Sequence, residues 1–391
     1  MGIFSKLKEK NVERSFKKAT DFYNHGNYEK SKEIFLLILD MGYYVVECND
    51  YLFEIYYNLG DLNNALTYLN NSLELNPDNI NNIINKGTIL YKLEKYNDAM
   101  VYFDKALSID NTNDYARIGK LSALISLKKF FEAKKFLKLI TIDSFDDNIL
   151  NSYSCIFIDL NMPDKALIYI NNALKLNPDN DMYWNNKGNI LLDLNKTNDA
   201  LYCYEKSYKL NSLNAESLAG KANCLDVLGE YEKALEYFDK ALEINSNCVI
   251  CWVNKSITYH KLKDYDNLEF CLNIALELDS NNDLIWDKKG LFLDELGRYD
   301  EALTCYNKAL KINPNSISII INKTNTLFNL NRFEEALQVI DKAFMINNKC
   351  QDVALVKVKI LKKLGNFDEA ERLQNESQNM SKMEDLPLYY K

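Results

Sequence analysis

The 391-residue chain carries a net charge of −9, 47% hydrophobic and 26% charged residues, an ordinary globular balance that disfavours a basic nucleic-acid footprint. Twelve glycines and five prolines exclude collagen-like and low-complexity chains, and only two histidines, His25 and His260, disfavour histidine-based catalysis and metal binding. At roughly 150 residues per domain, the length alone suggests two or three domains. Asparagine is in excess, with 51 residues.

Residues 1–10 (MGIFSKLKEK) lack an apolar core, so no signal peptide is expected. Lys6 stands where a myristoylation pattern needs Ser or Thr. No apolar run approaches the roughly 18 residues of a membrane span, so no stable membrane insertion is expected. The expected compartment is the cytoplasm, with the nine cysteines as reduced thiols. Residues 1–18 hold six basic and two acidic side chains and read as a capping helix rather than a membrane-binding face.

An internal period then organises the chain. Ala65, Ala99, Ala133, Ala166, Ala200, Ala234, Ala302, Ala336 and Ala370 recur every 34 residues, with one interval of 33 between Ala133 and Ala166. Ser31 and Leu268 fill the remaining places in register. With this alanine as position 20, units begin at Val12, Val46, Ile80, Asp114, Asp147, Asp181, Ala215, Val249, Asp283, Ile317 and Gln351. Positions 4, 8 and 11 form one helical face, and positions 20, 24 and 27 a second. Each unit is predicted to be a hairpin of two amphipathic helices. Small residues at 8, 20 and 27 let the helices approach, while Trp184, Trp252 and Trp286 at position 4 read as packing knobs.

The stretch Trp286–Asp287–Lys288–Lys289–Gly290, with Leu293, Gly297, Tyr299, Ala302, Tyr306, Ala309 and Pro314, resembles the tetratricopeptide repeat (TPR) family. The resemblance implies an all-α solenoid, a right-handed superhelix of about eleven repeats, whose concave groove binds partner polypeptides. The expected organisation is a capping segment 1–11, ten units over 12–350, a degenerate capping repeat 351–384 and a tail 385–391. One continuous array thus replaces the several domains suggested by length. The resemblance also implies that positions 2, 5, 6, 9, 12 and 13 face the groove.

Taken in chain order, the second unit puts Glu47, Asp50 and Glu54 on groove positions, and the third Asn85. Lys86–Gly87–Thr88 falls mid-helix without the upstream glycine of a phosphate-binding loop. The fourth unit is one residue short, carries Ile140 at position 27 and holds Lys128, Lys129, Lys134, Lys135 and Lys138, which read as a solvated face. The fifth has Pro163 at position 17, where aromatics prevail. These departures predict a soft joint over residues 141–148. The sixth to eighth units contribute Asn186, Asn189, Asn223, Asp226 and Asn254, the ninth Asp287, Lys288 and Asp294, and the tenth Asn322 and Asn325.

The asparagines at positions 6 and 9 are candidate ligand groups, because an amide can both donate to and accept from a peptide backbone. The excess of asparagine elsewhere is an alternative source of the same pattern. Against the carboxylate clamp of chaperone-binding TPR domains, Ala219, Asn223, Asn254, Leu284 and Lys288 match at three of five positions, so capture of a C-terminal carboxylate is not expected. Residues 215–312 hold 18 acidic and 11 basic side chains, hence a neutral-to-basic ligand is expected. Cys248 and Cys251 form a lone C-x-x-C, too few ligands for structural zinc, and position 23 tolerates cysteine as a small hydrophobe. No catalytic constellation, cofactor or metal site is expected. The anticipated role is a protein-interaction scaffold, with self-association as the alternative and nucleic-acid or membrane association a remote third.

Overall fold

The computed structural model describes the backbone of residues 3–348 and 350–384. The expected tail, 385–391, and the first two residues of the expected capping segment lie outside them. Among the described residues the protein is all-helical, with 22 helices and no strand.

Two compact units are present, Met1–Cys203 and Tyr204–Lys391. In the first, α1 (Ile3–Asn24) pairs with α2 (Tyr28–Asp40), α3 (Val45–Asn58) with α4 (Leu62–Leu75), and α5 (Ile80–Lys92) with α6 (Tyr96–Ile109). There follow α7 (Asp114–Ser126), α8 (Phe130–Leu137), α9 (Asp147–Asp159), α10 (Pro163–Leu176) and α11 (Asp181–Asp193). Helix α12 (Thr197–Leu210) spans the division. The second unit continues with α13 (Ala215–Val227), α14 (Tyr231–Ile244), α15 (Val249–Leu262), α16 (Tyr265–Leu278) and α17 (Asp283–Glu295). It closes with α18 (Tyr299–Ile312), α19 (Ile317–Asn329), α20 (Phe333–Ile346), α21 (Gln351–Lys363) and α22 (Phe367–Glu384).

Local chemistry starts and stops these helices. Asn79, Asn113, Asp146, Asn180, Asn214 and Asn282 each cap a first helix, their side-chain oxygens accepting from backbone N–H groups of its opening turn. Part of the asparagine excess is therefore capping. The turn inside each hairpin requires one left-handed residue. Glycine supplies it at Gly60, Gly229 and Gly297, but Glu94, Lys128 and Lys263 adopt the same conformation with φ of 60°, 58° and 58°.

Packing between hairpins rests on a large side chain at position 24, an aromatic ring in five repeats (Phe35, Phe103, Tyr204, Phe238 and Tyr306) and a buried Leu or Ile in four others (Leu69, Ile170, Leu272 and Ile340). Phe103 is 1% exposed and lies against Gly87 of α5 and Gly119 of α7. A Cβ on Gly87 would meet its ring at 2.7 Å, and one on Gly119 at 2.4 Å. Tyr306 meets Gly290 in the same way at 2.6 Å. The alanines at position 20, Ala65 through Ala370, are all at 0% exposure. Each tryptophan at position 4 donates its indole N–H to a carbonyl six residues back: Trp184 to Pro178, Trp252 to Ser246 and Trp286 to Ser280, at 2.7, 3.0 and 3.0 Å. The knobs thus also staple the loop that leads into their own helix.

The fourth hairpin departs from this plan. Its second helix, α8, has 8 residues against 14 in α6 and α10, and residues 138–146 run as irregular chain into α9. Leu137, at position 24, is only half-buried. Pro163, by contrast, sits at the start of α10, where its missing N–H has no helical partner to lose.

Two outcomes follow. Gly119→Val should cost about 1–3 kcal/mol by overpacking against Phe103, read as a lowered urea midpoint. Limited proteolysis should cut first within residues 138–146, ahead of any helix-internal site.

Candidate functional site

In the first unit the first helices α3, α5 and α7 lie side by side and enclose a groove cavity of about 690 Å³. Its wall includes Asn79, Asn81, Asn82, Asn85, Asp50 and Glu54, with Phe53, Tyr115 and Ile118 as apolar surface. Asp50 is not idle there. It accepts from Ser72 Oγ at 2.6 Å and Asn82 Nδ2 at 2.9 Å, tying α3, α4 and α5 together. Glu54 accepts from the Tyr23 hydroxyl at 2.6 Å, and burial with this carboxylate beside it pushes the Tyr23 pKa well above the usual phenol range. Asn85 is half-buried in the wall and makes no hydrogen bond among the described residues.

Three of the four candidate asparagines at position 6 share one geometry. Asn186 Nδ2 donates to Asn151 Oδ1 at 2.9 Å, Asn254 Nδ2 to Asn223 Oδ1 at 3.0 Å, and Asn322 Nδ2 to Asp287 Oδ1 at 2.9 Å. Each bond reaches back one repeat, from one first helix to the preceding one. Position 6 also lies at the rim of the position-24 ring of the repeat before it. Gly119 and Gly220 occupy this position against Phe103 and Tyr204, and Tyr51 stacks on Phe35 with ring centroids 4.7 Å apart. The sequence pattern gave no hint that this face is half interface and half groove. At position 9, Asn189 and Asn325 are exposed, while Asn223 is half-buried through its pairing with Asn254.

The charged candidates are less open than their register suggests. Asp226 accepts from Thr258 Oγ1 at 2.9 Å and forms an ion pair with Lys261. Burial raises the Asp287 pKa, partly offset by the bond from Asn322. Lys288 is exposed beside a small hollow shared with His260 and Glu295, which bond to one another at 2.6 Å. Asp294 is half-buried, and its Oδ1 has no hydrogen-bond partner. Asn151, Thr258 and Lys261 were invisible as partners in the sequence, because each is fixed by its neighbour one repeat away.

One expectation is corrected. Cys248 and Cys251 are not free thiols: they form a disulfide, with Cα atoms 5.3 Å apart. The reason lies in helix capping. Cys248 is the N-cap of α15, and its sulfur also lies 3.2 Å from the backbone N of Cys251, three residues on. A cap residue folds back onto that third position, which brings the two sulfurs together. The other seven cysteines form no disulfide, and burial pushes the Cys203 and Cys271 thiols up to about 11.

Comparison with known families now bears on this geometry. Two tetratricopeptide repeat models match, one at residues 54–79, 81–113, 148–180, 183–212 and 250–282, the other at 215–248 and 288–316. Together they take in more than half of the chain. The chain belongs to the tetratricopeptide repeat family. Among solved structures, yeast Tom70 is similar at 17% identity and a TM-score of 0.50, covering 95% of this chain and 92% of that one, a likeness of TPR fold alone. YrrB, described as a TPR protein with an unusual peptide-binding site, aligns at 25% identity and TM-score 0.38 over 48% of this chain and 97% of its own. TTC0263, a thermophilic TPR protein of Thermus thermophilus, aligns at 22% and 0.43 over 46% and 99%. No curated protein matches the sequence. Among the described residues no helix of this TPR array is long and apolar enough to cross a membrane.

Thiol titration of the unfolded, unreduced protein should therefore find seven reactive cysteines, rising to nine after reduction. Nine without reduction would contradict the disulfide.

Proposed function

We propose that this TPR protein is a scaffold that binds extended partner polypeptides along the face built from its first helices. The observation that carries the reading is the repeated amide bridge. Asn186, Asn254 and Asn322 each spend a donor on the preceding repeat. That bond fixes the amide plane and leaves the side-chain carbonyl as an acceptor for a backbone N–H, irrespective of ligand sequence. An acceptor held in advance loses little entropy on binding. Asn85, Asn189, Asn223 and Asn325 extend the same set, and Asp226, Asp287, Lys288 and Asp294 belong to its surroundings.

The preferred ligand is neutral to basic. Asp50 and Glu54 line the first-unit cavity while no lysine or arginine does. Phosphate backbones are disfavoured on the same ground. The reading assigns the protein to the cytoplasm and gives it no catalytic, metal or cofactor role.

The test is affinity capture with mass spectrometry, comparing wild type with Asn186→Ala/Asn254→Ala/Asn322→Ala. Partners retained by the wild type should be lost or at least tenfold depleted in the variant, with helicity unchanged by circular dichroism. An identical partner set would sink the amide reading. Capture of this chain alone, with a dimer mass in light scattering, would favour self-association. For any captured segment, binding that tightens with added salt would overturn the charge preference.

A further inference from the structure

A second cavity, of about 750 Å³, lies on a different face and is built differently. It is lined mainly by α8, the irregular chain after it and α10, with Phe157 of α9 and Met162 of the turn between α9 and α10 beneath, and shares no lining residue with the groove described above. Its apolar floor includes Ile140, Ile142, Phe157, Met162, Ile168 and Tyr169. Phe131 at its edge is 81% exposed and Ile168 58% exposed, unusual for large apolar side chains beside a hollow this size. The rim carries Lys134, Lys135, Lys138 and Lys165, and no carboxylate lines the cavity.

The cause is the truncation of α8. It has 8 residues where α6 and α10 have 14, a deficit of about two turns, roughly 9 Å of helix. In a regular repeat the second helix packs along the next first helix, as α6 does on α7 and α10 on α11. Here Ile140 and Ile142 fold inward along the edge instead, and a slot stays open. The charge is the second, independent observation. Residues 128–139 hold five lysines and one glutamate in a chain whose net charge is −9. None of the four rim lysines forms an ion pair among the described residues, which leaves their ammonium groups open to a ligand's carboxylates.

We propose that this slot binds an acidic amphipathic helix of a partner protein, with its apolar side chains on Phe131, Met162 and Ile168 and its carboxylates on the four lysines. A helix suits the slot better than an isolated anion would, because the floor is apolar and elongated where the protein's own helix stops. Helix-in-groove recognition of this kind takes apolar anchors at i, i+3, i+4 and i+7. The array would then carry two faces of opposite preference: an acid-lined one on the first helices and a lysine-rimmed one at the fourth hairpin.

The experiment titrates the full chain into fluorescein-labelled amphipathic peptides of about three helical turns, with leucine and phenylalanine on one face and glutamate on the other. A second set replaces each glutamate by lysine. Saturable anisotropy changes are expected for the acidic set only, weakened by salt. Lys134→Glu/Lys138→Glu should reduce affinity at least tenfold, and so should Ile168→Glu. Lys311→Glu, an exposed charge reversal in the second unit, should not. All of these positions are exposed, so circular dichroism melts should match wild type. The proposal is overturned if no acidic peptide binds, if Lys134→Glu/Lys138→Glu binds like wild type, or if acidic and basic peptides bind alike. It is equally overturned if oleate binds in a lysine-dependent manner while the peptides do not, because the site would then serve an anionic acyl chain.

Discussion

The structure depends on one contact, the large side chain at position 24, an aromatic ring in five of the eleven repeats and Leu or Ile in most others, pressed between two successive first helices. Phe103 shows it best, with Gly87 on one side and Gly119 on the other, neither of which has room for a Cβ. A hairpin alone cannot bury this ring, since one wall of its slot belongs to the next repeat. Stability therefore resides in the stacking, as expected of a quasi-one-dimensional fold. The same contact sets the groove. Because position 6 packs at the ring's rim, the side chain there starts from a rigid base and emerges at the floor between two repeats. Asn186, Asn254 and Asn322 are held from below by packing and sideways by a bond to the preceding helix. Side chains so supported can present hydrogen-bonding groups at fixed positions.

The period, the two helical faces and the wholly buried alanines were legible from the sequence, because they are properties of spacing and of residue size. What spacing cannot encode is a partner one repeat away. Asp226 reads as a groove charge until Lys261 and Thr258 are seen to engage it. Asp50 reads the same way until it is found holding Ser72 and Asn82. The hairpin turn was equally opaque. Where glycine stands at its left-handed position the signal is plain, but Glu94, Lys128 and Lys263 take that conformation against their own preference, because the stacking on both sides dictates it. The Cys248–Cys251 bond was missed for a related reason: the pair was weighed as metal ligands and thiols, while its geometry came from a helix cap.

Much of the asparagine excess turns out to be architectural. Asn79, Asn113, Asn180, Asn214 and Asn282 all sit before first helices and satisfy their opening N–H groups. An amide at a cap accepts through its oxygen and fixes a helix end, whereas an amide at position 6 donates through its nitrogen and bridges two helices. Composition could not separate these uses. Register could, once the neighbouring helix was known.

The fourth hairpin shows what happens when the governing contact weakens. Leu137 holds position 24 as Leu69 and Leu272 do elsewhere, but where those are almost wholly buried it is only half-buried, and it is the last residue of its helix. Without a deep anchor at position 24, the chain leaves the helix after Leu137. A packing fault alone would be expected to collapse inward or to be lined with neutral side chains. This one leaves Phe157, Met162 and Ile168 as a floor and surrounds them with Lys134, Lys135, Lys138 and Lys165. Four like charges around an apolar hollow are unfavourable in isolation and become favourable only when carboxylates cover them. The irregular repeat is thus better understood as a second surface than as a weak link. In an array whose regular positions are committed to stacking, a repeat whose second helix stops early is where a different specificity can be built.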